Sequence, residues 1–331
     1  MLSALRIGSS SQCGLDLSGA AYCWGLNCSV SCGYEQLLGV STTDPVLLTP
    51  APVVGVAGGP SLTFRALDVG PRFACGLSMA GAAYCWGQNT NGRLGDGTSV
   101  DRFTPTAVPG VNGGAPLVYT AISTGYRHAC GLTATGAAIC WGETDLLGTG
   151  SASVVRSLPT PVLGVGGGAP LAFTSISASQ THTCGLTSSG AAYCWGINQV
   201  GALGNSTTIS SYTPVAVLGV DGGVPLTFAS ISSGSYMTCG LTASGTAYCW
   251  GQNSYGQLGD NTTTDRYTPV PVLGVGGGAP LTFAQISAGG AGHSCGVVTG
   301  GRVYCWGQNT NGELGDNTTG NHLTPAAVIR P

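Results

Sequence analysis

His128-Ala-Cys-Gly-Leu-Thr-Ala-Thr-Gly-Ala-Ala-Ile-Cys-Trp-Gly142 reads as two short strands folded back about Ala134-Thr135-Gly136. The glycine of that loop suits the left-handed position of a three-residue hairpin turn. The turn sets a register with Cys130 opposite Cys140, Leu132 opposite Ala138 and Gly131 opposite Ile139. Successive side chains alternate across a strand, so one face carries both cysteines and Leu132, and the other carries Trp141 over Ala129. Both faces are apolar. Each hairpin must therefore be covered on two sides, which sheets stacked face to face provide.

The same pattern recurs along the chain. Cys-Gly-(Leu/Val) followed by Cys-Trp-Gly appears at Cys13/Cys23, Cys75/Cys85, Cys130/Cys140, Cys184/Cys194, Cys239/Cys249 and Cys295/Cys305, with successive first cysteines 62, 55, 54, 55 and 56 residues apart. Turn glycines stand at one offset in all six (Gly19, Gly81, Gly136, Gly190, Gly245, Gly301), and five units place a tyrosine opposite the Gly of Cys-Gly (Tyr22, Tyr84, Tyr193, Tyr248, Tyr304). All six tryptophans, Trp24, Trp86, Trp141, Trp195, Trp250 and Trp306, share one repeat position and are assigned to the blade core.

Two further strand-like segments flank each hairpin. Upstream lies an apolar alternation such as Leu281 to Ile286, repeated at Phe64, Tyr119, Phe173 and Phe228; downstream a Thr-Pro step opens a short apolar stretch at Thr49, Thr104, Thr160, Thr213, Thr268 and Thr324. Proline there suits a sheet edge or a first strand residue. Helical periodicity is absent. Four short strands per unit, six times over, predict an all-β fold: a β-propeller of six four-stranded blades in one domain over 1–331, with repeats at about 1–55, 56–110, 111–165, 166–220, 221–275 and 276–331.

Composition narrows the function. Of 331 residues 57 are Gly, only 7% are charged, mean hydropathy is +0.26 and formal net charge is -3. A charge-rich disordered chain is excluded. Every basic residue is Arg, and nothing offers the basic footprint that phosphate backbones or anionic lipids need, so nucleic acid is not an expected partner. No apolar run reaches the roughly 18 residues of a membrane span, and the start MLSALRIGSSSQCG lacks the apolar core of a signal peptide, so a signal, if the protein is secreted, is expected outside this sequence.

The repeat from Cys239 to Val272, CGLTASGTAYCWGQNSYGQLGDNTTTDRYTPVPV, resembles that of the regulator-of-chromosome-condensation family. The markers are the two hairpin motifs, the Asn-x-x-Gly-x-Leu-Gly segment (Asn89 to Gly95, Asn198 to Gly204, Asn253 to Gly259, Asn309 to Gly315) and the trailing Thr-Pro. The resemblance implies a β-propeller, usually of seven blades, so either six blades form the ring or a seventh lies outside the sequence. Paired cysteines in every unit are more similar to secreted bacterial-type members than to the nuclear exchange factor for a small GTPase. Repeat one departs by an insertion bearing Cys28 and Cys32, and repeat three replaces the Asn-x-x-Gly segment with Glu143-Thr-Asp-Leu-Leu-Gly148.

Twelve cysteines face one another in the hairpin register at what should be a non-hydrogen-bonded pair, where Cα atoms come within about 4.5 to 5.5 Å, and six disulfides are expected; Cys28 and Cys32 are expected to form a seventh. Reduced core thiols and a metal site are the competing readings. Oxidised pairs in this number imply an extracellular or periplasmic setting. His128, His182 and His293 share a position that Phe73 and Met237 fill elsewhere, which makes it a packing position more than a catalytic cluster. Asp96, Asp260 and Asp316 follow Leu-Gly steps and read as turn caps, because one carboxylate per loop is a poor calcium cage. Asn205, Asn261 and Asn317 begin N-glycosylation sequons in equivalent loops, and Asn27 begins a fourth. No catalytic residues, metal site or cofactor are assigned.

The expected function is therefore non-catalytic: an extracellular structural or surface-assembly protein whose scarcity of charge favours packing on copies of itself, in a filament if the contact does not close. The alternative is a secreted protein- or glycan-binding, or inhibitory, module acting through the irregular loops 26–48 and 143–157. Partners are thus itself or another extracellular protein or glycan, without membrane insertion.

Overall fold

A computed structural model of the chain describes residues 2–7, 11–27, 37–151, 155–290 and 292–329. The fold is an all-β propeller of six blades, each a sheet of four sequential antiparallel strands. Blade two shows the plan: Phe64–Val69, Phe73–Ser78, Ala83–Gly87 and Arg102–Ala107 pair in chain order. The other sheets run from Leu2 to Pro52, Tyr119 to Pro161, Phe173 to Ala216, Ser230 to Pro271 and Phe283 to Ala327. Short 3-10 turns such as Val56–Gly58 lie between blades, and no α-helix occurs among the described residues. The chain packs as two compact units, Met1–Leu163 with Ala169–Ala172 and Gly164–Gly168 with Phe173–Pro331.

The hairpin register is the one read from residues 128–142: Cys130 pairs with Cys140, Gly131 with Ile139, Leu132 with Ala138 and Ala129 with Trp141. Disulfides join Cys13–Cys23, Cys75–Cys85, Cys130–Cys140, Cys184–Cys194, Cys239–Cys249 and Cys295–Cys305. Their Cα atoms are 4.1 Å apart, closer than the spacing expected from an unbridged pair. Cys28 and Cys32 lie outside the described residues.

Inside each unit the two apolar faces solve one another's burial. Cys75, Leu77 and Cys85 of blade two pack against Tyr119, Ala129 and Trp141 of blade three. Blade one meets blade two the same way, with Cys13, Leu15 and Cys23 against Phe64 and Trp86. In the second unit Cys184, Leu186 and Cys194 meet Phe228 and Trp250, and Cys239, Leu241 and Cys249 meet Phe283 and Trp306. Trp86, Trp141, Trp195, Trp250 and Trp306 are fully buried. Trp24 departs from its assignment to the blade core and is only half-buried.

The glycine of Cys-Gly-Leu has a packing reason that alternation alone did not disclose. The ring opening the first strand presses against it: a Cβ on Gly76 would stand 2.5 Å from Phe64 Cδ1, and one on Gly131 would stand 2.4 Å from Tyr119 Cδ1. The same ring then meets the blade's tryptophan, with centroids 5.8 Å apart for Phe64 and Trp86. Gly76→Ala is expected to cost about 2 kcal/mol by overpacking. A urea midpoint unchanged by this substitution would contradict the packing.

The fourth strands begin before the Thr-Pro step rather than at it, for example at Arg102 and at Arg266. A bulge explains why proline is accepted inside them: Gly87 pairs with Arg102 and Cys85 with Thr106, so Phe103, Thr104 and Pro105 together oppose Trp86, on an edge strand. In repeat three the register aligns Leu158-Pro159, not Thr160-Pro161, with Thr104-Pro105.

Candidate binding site

In every repeat but the third, the loop joining third to fourth strand is built on one buried asparagine. Asn253 donates from Nδ2 to Asp260 Oδ1 (3.0 Å) and to the carbonyls of Thr262 and Thr264 (3.1 Å each), and its Oδ1 accepts from the Leu258 amide (3.0 Å). Asn89, Asn198 and Asn309 repeat this frame. So does Asn27, which donates to the Thr42 and Asp44 carbonyls and accepts from the Leu38 amide. Asn27 is 1% exposed with its Nδ2 occupied, so its assignment as a glycan acceptor is corrected here: it is the loop-organising asparagine of repeat one.

The aspartates behave as turn caps. Asp96 Oδ1 accepts from the Thr98 amide and hydroxyl and from Asn89 Nδ2, while its Oδ2 meets Arg102 Nε at 2.7 Å. Burial raises the Asp96 pKa, but the hydrogen bonds from Thr98, Arg102 and Asn89 outweigh it and leave it lowered. Asp260 pairs with Arg266 and Asp316 with His322 in the same geometry. Asn205 occupies this aspartate position, accepting from Asn198 Nδ2 and Thr207 Oγ1, whereas Asn261 and Asn317 sit one residue later, exposed, at φ 62° and 63°. The three sequons thus share a loop without sharing a place in it.

Repeat three breaks the pair. Thr149 stands where the aspartate would be, and Arg156 Nε and Thr149 Oγ1 are buried atoms without a hydrogen-bond partner among the described residues. The backbone before it is unchanged, with Gly148 at φ 72° against 73° at Gly95. Thr149→Asp is therefore expected to stabilise the protein by about 1 kcal/mol, read as a raised melting temperature. A lowered one would contradict the reading of Arg156 as a cation lacking its carboxylate.

The histidines do not converge on a site. His128 and His182 are fully buried. His182 Nε2 lies 2.7 Å from Thr238 Oγ1, whose own proton goes to the Ala202 carbonyl, so Nε2 donates; Nδ1 lies 3.1 Å from Ser179 Oγ. Burial pushes the His182 pKa down to about 3. No grouping of His, Cys, Asp and Glu that could hold a metal ion occurs among the described residues.

One place gathers charge. Arg72 and Arg127 close the loops between the first and second strands of blades two and three, and Arg93 stands in the third-to-fourth-strand loop of blade two. All three converge on Tyr126. Arg72 Nε donates to its hydroxyl (3.1 Å), Arg93 Nη1 donates to its carbonyl (3.0 Å), and the Arg72 and Arg127 guanidiniums lie 5.6 and 5.7 Å from its ring centre. Arg93 is 3% exposed, and burial, with Arg72 beside it, pushes its pKa down to about 10. Glu143 seats both carboxylate oxygens on Arg127 Nη1, at 3.0 and 3.1 Å. Composition hid this cluster, because ten arginines spread over 331 residues give no local signal until the fold assembles loops about 55 residues apart.

The description of a domain family now accounts for the whole pattern: a sequence model of the RCC1-like domain matches residues 2–330. The chain belongs to the RCC1-like domain family. Among curated relatives it is 28% identical over 271 residues to the ultraviolet-B receptor UVR8 of Arabidopsis thaliana, covering 81% of this chain and 58% of that protein. It is 30% identical over 209 residues to the probable E3 ubiquitin-protein ligase HERC4 of Rattus norvegicus, covering 62% of this chain and 19% of the ligase. The chain thus spans a little over half, or less, of the relatives it matches. Among solved structures, human WBSCR16 superposes with a TM-score of 0.79 at 17% identity, covering all of this chain and 83% of that one. Prp20p of Saccharomyces cerevisiae, described with its binding to Gsp1p and histones, superposes at 0.77 and 20% identity, covering 99% and 76%. At such identities these two structures speak for the RCC1-like fold alone.

Proposed function

We propose that this RCC1-like propeller is a non-catalytic protein-binding module, locked by six disulfides and working in an oxidising, extracytoplasmic setting. The observation that carries the reading is the arginine cluster around Tyr126, whose buried member Arg93 stands on a loop fixed by Asn89 and by the Asp96–Arg102 pair. Binding residues on loops over a rigid scaffold are a common arrangement. Binding of Gsp1p and histones by Prp20p, and of Kap60 by yeast RCC1, supports protein partners as a class for the fold and names none for this chain. Six bridges support the compartment. Asn261 and Asn317, exposed in their loops, are the sequons suited to carry glycans there.

The test is a hydrogen-exchange footprint of the intact, oxidised protein with a partner captured from its native surroundings; amine cross-linkers are of little use on a chain without lysine. Protection concentrated at residues 70–72, 88–101 and 125–127 is expected. Protection spread evenly, or absent from these loops, would overturn the reading.

A second reading, self-association into a filament or surface layer, draws on Val56, Val165, Val220 and Val275, which sit at one turn position and are 47%, 52%, 38% and 57% exposed. Sedimentation across a hundredfold concentration range separates the two. A growing particle supports assembly, and a constant one removes it.

A further inference from the structure

We propose that Arg72, Arg93 and Arg127 form a carboxylate-binding site that takes the acidic side chains of an extended segment of a partner protein. The proposal rests on the protein-binding reading above and names the chemistry of its contact. A buried cation without a carboxylate against it is costly, and removing such groups often stabilises a protein. Arg93 is such a group: its guanidinium donates to two carbonyls, of Thr90 and Tyr126. Asp101, the acid whose charge reaches Arg93, is engaged with the Asn89 amide. Arg72 adds a second cation whose partners are neutral, the Tyr126 hydroxyl and Gln88 Oε1.

The corresponding loops of the second unit carry no such charge. Ser179-Gln180-Thr181 and Ser235-Tyr236 replace the Arg72 and Arg127 loops, and Ala202, Gln257 and Glu313 stand where Arg93 does. The cluster is therefore not a requirement of the fold, which the other repeats build without it.

Glu143 identifies the ligand chemistry. Repeats two, five and six place Gln88, Gln252 and Gln308 after the Cys-Trp-Gly glycine, and repeat three alone places a carboxylate there, which settles on Arg127. A planar carboxylate therefore fits the outer part of the cluster, and planar forks suit it. Glu143 is an internal competitor that a partner's carboxylate displaces, leaving Arg72 and Arg127 to take successive acids while Arg93 supplies positive charge from beneath. A net charge of -3 over the whole chain disfavours long polyanions and leaves recognition to this local patch.

Fluorescence anisotropy with fluorescein-labelled hexaglutamate, hexaglutamine as control and inorganic phosphate as competitor tests the proposal on the intact oxidised chain. Hexaglutamate is expected to bind and hexaglutamine not. The double variant R72Q/R127Q should weaken hexaglutamate about tenfold or more, and E143Q should strengthen it about threefold to tenfold, at unchanged melting temperature. Should the double variant fold poorly, E143Q decides alone. Unchanged affinity in E143Q, equal binding of hexaglutamine, or phosphate displacing the peptide at lower concentration than free glutamate would overturn the carboxylate assignment. If hexaglutamate fails while a captured partner still protects these loops, only the ligand chemistry falls. If no partner protects them, the broader reading falls as well.

Discussion

Reduction of all six bridges is expected to unfold the protein at room temperature and neutral pH. Each bridge closes a ten-residue separation, and in the chain-entropy model a loop of that size contributes about 3 kcal/mol. Six together exceed the 5–15 kcal/mol that separates a typical folded domain from its unfolded chain. Little else takes their place, since charge is scarce and each hairpin, with two apolar faces, depends on its neighbours for cover. Replacing one pair, Cys130→Ala with Cys140→Ala, should cost about 3 kcal/mol, and more if the two lost sulfurs leave a cavity between Leu132 and Ala138. Circular dichroism during titration with a phosphine reductant reads the first effect and a urea melt of the double variant reads the second. Full retention of structure after complete reduction would mean that the interlocked faces alone hold the blades.

Acid should weaken the protein well before its carboxylates titrate. His182 is neutral in the fold, with its pKa pushed to about 3 by burial, against about 6.5 in an unfolded chain. Below pH 6.5 the unfolded chain takes up a proton that the native state refuses, so stability falls as pH falls and continues to fall until about pH 3. Between pH 7 and pH 4 the loss is about 3 kcal/mol. Asp96 adds a further loss lower down, because its depressed pKa stabilises the fold only above the unfolded value near 3.8. His182→Phe, which copies Phe73 at the same repeat position, should flatten the upper part of the profile while forgoing the bonds to Thr238 and Ser179. Urea midpoints of both proteins at pH 7, 5.5 and 4 check this; parallel profiles would contradict a neutral buried His182.

Much of this architecture was legible in residues 128–142, because a hairpin turn fixes register and register fixes faces. The pairing of Cys130 with Cys140 and the double apolar character of the blade follow from a period of two and a glycine at the turn. How the faces are covered was not legible, since the contact of Cys75 with Trp141 joins residues 66 positions apart in different repeats. The Asn frame shows another limit. A sequon and a loop-organising asparagine use the same residue type, and only burial of Asn27 against exposure of Asn261 separates them. In repeat three Thr160-Pro161 matches the motif in sequence, but the shortened loop moves the bulge proline to Pro159. The arginine cluster has no signature in the sequence because Arg72, Arg93 and Arg127 belong to three loops, and only the meander of two adjacent sheets brings them to Tyr126.

Rigidity, compartment and the binding reading all depend on the cross-strand bridges. Peptide mapping of protein from its native source, alkylated in denaturant first without and then with reductant, addresses them directly. Twelve cysteines, paired ten residues apart as in Cys75–Cys85 and Cys239–Cys249, are predicted to accept label only after reduction. Free thiols at these positions in the unreduced protein would contradict both the locked propeller and the oxidising habitat proposed for it.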